Sequence, residues 1–422
     1  MREDIKKRIE AVSQGKVPEG YCRVHPYVIP NDWEVVKLES ITKRTSRPNK
    51  DGKDRPAYSI NNRKGFVPQS EQFEEGSYED LDKSAYKIVR KGEFAYNPAR
   101  VNVGSIGRLR DAEEVAVSSL YVCVSVDDKV DGKYFDAWTK SRDFYKETVR
   151  NTEGSVREYL FYENFANMRM PIPTFAEQQK IADILATCDR VIELKQQLLE
   201  EKRHQKQWLM QKLLDPDSGV RLPGFIGSIW NVCSIGDITD IYSGGTPDTE
   251  TEVFWDGDVL WCTPSDIANT GKYIERTETT ISEEGLQKSS AVLLPVGTVL
   301  MCSRATIGPR TIAKVPITTN QGFKNFVCKE GLDNEFLYYA LDTVLPNLLK
   351  KAAGNTFKEI SKSDIAKSKL WVPGLAEQRA IACRLAAADM ELDLIEKELV
   401  AWQKKKKALM QLLLTGLVRV NA

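Results

Sequence analysis

His25 and His204 are the only imidazoles in this 422-residue sequence, and they lie far apart in the chain. A multi-histidine metal centre is thereby excluded, and a histidine-based catalytic triad is not expected. The eight cysteines, at 22, 123, 188, 233, 262, 302, 328 and 383, include no C-x-x-C pair. Such scatter fits buried thiols in a reducing cytoplasm better than a disulfide framework or a zinc site. Neither a G-x-x-x-x-G-K-[ST] phosphate loop nor a strand-linked G-x-G-x-x-G fingerprint is present.

Two shorter resemblances to catalytic motifs fail on chemistry. Asn97-Pro98-Ala99-Arg100 begins like the N-P-P-Y of adenine methyltransferases, but it lacks the second proline and the stacking aromatic. Glu200-Glu201-Lys202 has the spacing of a nuclease E-x-K, yet it falls inside a heptad run, where a solvated helix face explains it. No residue is assigned a catalytic or metal-binding role, and the chain is read as a non-enzyme.

What remains suits hydrogen bonding to nucleic acid. Ser59, Asn61, Asn62, Arg63 and Lys64 crowd hydroxyl, amide and cationic donors into one short segment. Asn and Gln can address adenine bidentately, and Arg or Lys can address guanine. Asn97 and Arg100 form a second polar group, and Arg157 follows in Gly154-Ser155-Val156-Arg157-Glu158. In the other half, Ser243-Gly244-Gly245-Thr246-Pro247 is a tight turn whose backbone could approach a phosphate closely. Arg304 with Thr306, Asn320 with Gln321, and Asn355 with Thr356 complete the candidates. Each alone reads as an ordinary polar loop; their recurrence at comparable places in two halves makes the case.

Charge bounds the mode of binding. Sixty Lys+Arg balance 60 Asp+Glu, which excludes a polycationic coat and leaves only local basic patches. With 41% hydrophobic and 28% charged residues the composition is that of a globular chain. No apolar run approaches the ~18 residues that span a bilayer, and Met1–Arg8 lacks an apolar leader core, so a cytoplasmic location is expected.

The elements that must carry these loops come from an internal repeat. Residues 173–214 and 373–414 align without a gap at an offset of 200, with 17 of 42 positions identical. Unrelated segments would match at about one position in fifteen. The shared positions include Ala176-Glu177-Gln178 with Ala376-Glu377-Gln378, Asp189 with Asp389, and Leu209-Met210-Gln211 with Leu409-Met410-Gln411. Proline precedes each copy, and neither Pro nor Gly interrupts before Pro216 and Gly416, so both read as long helices. Positions 181, 185, 188, 192, 195, 199, 202, 206, 209 and 213, and their counterparts 200 residues later, step by alternating fours and threes. That mean spacing of 3.5 specifies a coiled-coil seam, on helices roughly 60 Å long at 1.5 Å per residue.

The segments ahead of the helices are only weakly related. Trp33-Glu34-Val35-Val36-Lys37-Leu38 parallels Trp230-Asn231-Val232-Cys233-Ser234-Ile235, and Gly104-Ser105-Ile106-Gly107 parallels Ala305-Thr306-Ile307-Gly308. Strand-like runs (Val115–Val124, Val299–Ser303) and short helices (Tyr134–Arg150, Glu335–Ala353) predict a compact α+β domain in each half.

This layout, with its repeated P-x-x-A-E-Q-x-x-I-A helix starts, resembles the specificity subunit of type I restriction-modification enzymes over essentially the whole chain. The Gly-Gly-Thr-Pro turn at 244–247 and Thr306-Ile307-Gly308 support the likeness. It implies an N-terminal arm (1–20), a first target recognition domain (21–172), a central helix (173–215), a second recognition domain (216–372) and a C-terminal helix (373–422). The two domains would be joined by antiparallel coiled-coil helices in a pseudo-twofold repeat, each reading one half of a bipartite, asymmetric site in double-stranded DNA. Two methyltransferase subunits, and restriction subunits where present, are the implied partners. S-adenosylmethionine, ATP and Mg would belong to those partners, with no cofactor in this chain. Glu177, Gln178, Arg190, Glu193, Glu377 and Gln378 are expected to touch the partner subunits. The alternative is a coiled-coil scaffold without DNA sequence recognition.

Overall fold

The architecture is that of a computed structural model, which describes residues 3–51, 53–72, 83–153, 159–352 and 359–420. The chain divides into two units, one formed by Met1–Gln196 with Glu398–Ala422 and the other by Gln197–Lys397. Both long helices are present, Phe175–Leu213 and Leu375–Leu414, of 39 and 40 residues.

Within each unit the helices run antiparallel. In the first, Lys195 meets Glu398 at 2.5 Å and Lys406 pairs with Asp189, so position numbers rise on one helix as they fall on the other. In the second, Lys202 meets Glu391 at 2.7 Å, Arg203 meets Glu396 at 2.8 Å and Lys206 meets Asp389 at 2.5 Å. The predicted seam is the covered face: every seam position is buried or half-buried, while 183, 184, 186 and 187 are exposed. Lys195, Lys202, Lys206 and Lys406 sit on that seam. Their alkyl stems lie along it, and each ammonium reaches an acid on the facing helix, which avoids an unpaired buried charge.

Each unit hangs a mixed α/β domain on its stretch of helix, and the two domains repeat one sheet. In the first unit the strand order is Ile106–Arg108, Phe94–Tyr96, Val122–Val126, Thr42–Thr45, all antiparallel. In the second the order Arg310–Ala313, Val299–Cys302, Phe323–Cys328, Thr239–Ser243 recurs, with Tyr273–Ile274 added at one edge. A small ladder closes each domain beside its long helix: Glu34–Lys37 with Arg169–Ile172, and Asn231–Ser234 with Lys369–Val372. A further five-stranded sheet in the first unit and three-stranded sheet in the second carry the rest. The cores are aliphatic and aromatic; Phe94, Tyr96, Tyr134, Phe135 and Phe165 fill the first, and Val299, Phe326, Phe336 and Leu337 the second.

Two sequence expectations change. The run Val115–Val124 is not one strand: Glu114–Val117 and Val122–Val126 belong to different sheets, separated by a turn closed by Tyr121 N–H on Ser118 O (3.0 Å). Tyr134–Arg150 is two helices, Gly132–Trp138 and Arg142–Asn151, because the Ser141 hydroxyl accepts from Phe144 N–H and starts the second. Asn334–Ala352 is continuous despite Pro346 within it.

Candidate nucleic-acid interface

The repeated glutamine of each helix start fixes its domain. Gln178 is 1% exposed; its side-chain carbonyl accepts from Asp131 N–H at 2.8 Å and its amide donates to Pro173 O at 3.1 Å. Gln378 makes the same bonds, from Asp333 N–H at 2.8 Å and to Pro373 O at 2.9 Å. Glu177 is also buried, at 2%, where it accepts from Trp33 Nε1 (3.0 Å) and from Arg419 (2.8 and 2.9 Å). Arg419 continues to Asp32 at 2.7 Å, and this guanidinium holds the Asp32 carboxyl below its usual range. In the second unit Arg221 stands 4.0 Å from Glu377 and 5.0 Å over the Trp230 ring. The expectation that Glu177, Gln178, Glu377 and Gln378 present a surface to partners therefore needs correcting. Gln178, Gln378 and Glu177 spend their polar groups inside each unit, tying helix to domain, while Glu377 is buried at 2% with Arg221 4.0 Å away and its Oε2 without a hydrogen bond. Arg190 and Glu193 remain exposed and pair with each other at 2.9 Å.

In the first unit the candidate loops converge at one end of the sheets. Strands Ala57–Asn61 and Gly65–Pro68 form a hairpin whose tip is Asn62, Arg63 and Lys64, all exposed. Asn61 Oδ1 accepts from the Arg63 and Lys64 amides (2.8 and 3.2 Å), and Gly65 at φ 72° supplies the left-handed residue such a three-residue turn requires. Asn61 therefore shapes the turn, and Ser59, 2% exposed, lies inside the domain. The loop after Phe94–Tyr96 packs against this hairpin. Ser105 Oγ donates to Ile60 O at 2.8 Å, and a Cβ on Gly104 would come within 3.1 Å of Asn62 O. Asn97 accepts from Ala99 N–H at 3.0 Å, which leaves Arg100 exposed on that loop.

In the second unit the loop after Val299–Cys302 occupies the corresponding place. Ser303 is fully buried; its N–H donates to Gly322 O (2.8 Å) and its O accepts from Ile360 N–H (2.9 Å), which holds Arg304 and Thr306 at the surface. Thr246 donates to Gln321 Oε1, joining two segments 75 residues apart. Asn320 accepts from Gly322 N–H at 2.9 Å, so it shapes the loop on which exposed Gln321 sits. Ser243, also exposed, ends its strand opposite Lys324. The glycines of 244–245 serve close approach of chain to chain: a Cβ would come 1.9 Å from Asn320 O at Gly244 and 2.3 Å from Ala291 N at Gly245. Arg157, Asn355 and Thr356 lie outside the described residues.

Sequence reading missed the floor of this second cluster. Lys324 is 5% exposed, with its ammonium 3.5 Å from both Glu359 and Ser303 Oγ, and the Asn325 amide donates to Thr319 Oγ1 at 2.8 Å. The available signal was a Lys-Asn pair inside the otherwise apolar strand Phe323–Cys328.

Two exposed loop clusters of different composition, each built around the loop that follows an equivalent strand of the shared four-stranded order, bearing Arg100 or Arg304, and each in a domain tied to its own stretch of a repeated helix, define a class of proteins that presents two distinct polar surfaces. The family model described as the type I restriction modification DNA specificity domain matches residues 30–201 and 228–401, and the chain belongs to that family. It is 40% identical over 178 residues to the type I restriction enzyme MjaIX specificity subunit of Methanocaldococcus jannaschii, spanning 42% of this chain and 40% of that protein. To the MjaVIII specificity subunit of the same organism it is 26% identical over 425 residues, or 96% of this chain and 97% of the other. The fold agrees with the HsdS subunit from Thermoanaerobacter tengcongensis (17% identity, TM-score 0.52, covering 93% and 99% of the two chains). It also agrees with a chain solved in work on complex assembly of a type I R-M system (17% identity, TM-score 0.60, 93% and 100%).

Proposed function

We propose that this chain reads a bipartite, asymmetric site in double-stranded DNA for a type I restriction-modification complex. Domain 21–172 addresses one half-site and domain 216–372 the other, with the helix length setting the spacer. The supporting observation is the exposed loop after an equivalent strand in both units, Phe94–Tyr96 and Val299–Cys302, with further exposed polar loops in each cluster. Asn62, Arg63, Lys64 and Arg100 are exposed in one cluster, and Ser243, Arg304, Thr306 and Gln321 in the other. Different side chains on the same scaffold read different bases, because specificity lies in donor and acceptor placement.

Two methyltransferase subunits, and restriction subunits where the host has them, would supply S-adenosylmethionine, ATP and Mg chemistry. The exposed helix faces bearing Arg190 and Glu193 suit those partners, since a surface shared among specificities should not vary with target. Reversing both charges should weaken assembly and leave the fold intact.

Methylome sequencing of strains with and without this gene tests the reading. A bipartite adenine-methylated motif should appear only with the gene, and the purified complex should shift that duplex in preference to a scrambled one. Equal binding to both duplexes would leave only a scaffold.

A further inference from the structure

The repeat supplies its own comparison for one cleft. Asp131 and Asp333 are bonded alike to Gln178 and Gln378, and each caps the helix that follows, at Tyr134 N–H and Phe336 N–H, both 3.0 Å. This sets Gly132–Trp138 against the start of Asn334–Ala352. Tyr134 and Phe135 then match Phe336 and Leu337, all fully buried. Three residues after Tyr134 and Phe336 stand Ala137 and Tyr339.

In the second unit Tyr339 is 1% exposed, and its hydroxyl donates to Asp389 at 2.5 Å. Its ring lies 4.4 Å from the Lys272 ammonium. Lys206 on Asp389, Arg310 on Asp342 and Lys272 on Glu335 balance three cations with three carboxylates around it. The first unit has Ala137 in place of Tyr339, Asp136 in place of Tyr338, and Lys133 in place of Glu335. Here the corresponding place is a cleft of about 660 Å³. Its floor is apolar, with Ala137, Ala182, Leu185 and Met410, and Asp189, the counterpart of Asp389, stands in its wall. Lys91, Arg108, Arg110, Lys133 and Lys140 line its rim; Arg110 and Lys140 pair with Asp136, Lys91 with Glu113 and Lys133 with Asp183, and cations still outnumber carboxylates in the lining. Arg108 is bonded only to Gly92 O, at 3.4 Å, among the described side-chain bonds.

We propose that this cleft receives a tyrosine-like side chain carried on an acidic segment of one methyltransferase subunit. The ring occupies the space that Tyr339 fills in the second unit, its hydroxyl donates to Asp189, and flanking carboxylates meet the cationic rim. Duplex DNA fits the rim but has no group for an apolar floor beside a carboxylate. The choice of partner rests on the function proposed above, because Arg190 and Glu193 also line the cleft. The second unit has a smaller cleft at the same place, about 450 Å³, but Tyr338 and Tyr339 line it where the first unit offers an apolar floor, so two methyltransferase copies would be held unequally. Aromatic side chains bury 150–250 Å² and often anchor interfaces in this way.

The test uses the full chain assembled with methyltransferase subunits. Ala137→Tyr should fill the cleft from within, keep or raise the melting temperature, and weaken binding of one copy at least tenfold. Tyr339→Phe should leave both copies bound. Should Ala137→Tyr fail to fold, Lys91→Glu with Lys133→Glu reverses the rim and should produce the same loss of one copy. A benzophenone amino acid at Ala186, which also lines the cleft, should crosslink to a methyltransferase aromatic flanked by Asp or Glu. A folded Ala137→Tyr chain that binds both copies normally, or an adduct from Ala186 to DNA, would overturn the inference alone. If the unaltered chain binds no methyltransferase subunit, the reading of function falls with it.

Discussion

The ammonium of Lys206 lies 2.5 Å from the carboxylate of Asp389, and 200 positions away from each, Lys406 pairs with Asp189. Repeat-related residues thus exchange roles, the first helix giving the lysine in one unit and the acid in the other. Only antiparallel helices allow that exchange. Half-exposed pairs of this kind stabilise by about 0.5–1 kcal/mol each, so their main effect is to select one register of a seam whose apolar positions would tolerate others.

Cysteines at 185 and 409, in a chain otherwise free of cysteine, should crosslink readily. Leu185 and Leu409 belong to the same apolar cluster, and the Asp189–Lys406 and Lys195–Glu398 pairs farther along the seam set the register that brings them level. Efficient linkage of 185 to 385 would contradict the antiparallel arrangement.

Gln178→Ala should destabilise the first unit by about 2–3 kcal/mol, since Asp131 N–H and Pro173 O both lose a buried partner. Gln378→Ala should cost a similar amount in the second unit, and the double variant should show near-additive loss in urea unfolding followed with one probe per unit. Strong non-additivity would mean that the units do not unfold separately.

Asp389→Ala should cost more than Asp189→Ala. The first removes the partner of both Lys206 and Tyr339, the second that of Lys406 alone among the described bonds. The difference should approach the ~1 kcal/mol of a half-buried hydrogen bond, and Tyr339→Phe should account for most of it. Equal losses would remove Tyr339 from the comparison.

Stability should fall as pH rises above about 9. Burial pushes the thiols of Cys302 up to about 11 and of Cys123 and Cys328 up to about 12, from an ordinary 9.0. With the folded values raised, the unfolded chain releases these protons first. Their contribution is therefore complete below pH 9 and is lost as pH climbs through 9 to 12. Melting temperatures between pH 8 and 10.5 should show the decline, and replacing the three cysteines with Ala should reduce it, leaving the part due to Cys262, whose thiol is also pushed up by burial.

Replacing residues 21–172 with the matching domain of another such subunit should change one half-site and leave the other intact. Arg304→Ala and Gln321→Ala should act only on the half-site read by 216–372, or weaken all sequences alike. A lost base contact costs roughly 1–3 kcal/mol at one position, whereas a lost phosphate contact weakens binding to all sequences alike and reduces its salt dependence. An altered base preference in the other half-site would end the idea of independent readers.

The long helices and their seam were legible in residues alone, because a 3.5-residue spacing and an offset repeat are properties of the chain order; their antiparallel pairing was what the resemblance implied, and the ion pairs along the seam bear it out. The loop tips were legible too: Asn62–Lys64, Arg304 and Gln321 are polar, and the structure leaves them exposed. What the chain order could not show is which polar residues face inward. Gln178 and Glu177 look like surface groups on any helical wheel, yet loops 129–131 and the segments at Asp32 and Arg419 fold over them. Their burial depends on partners tens to hundreds of residues away. For the same reason, only the tertiary structure could decide that Tyr339 lines a cleft whose counterpart at Ala137 has an open apolar floor.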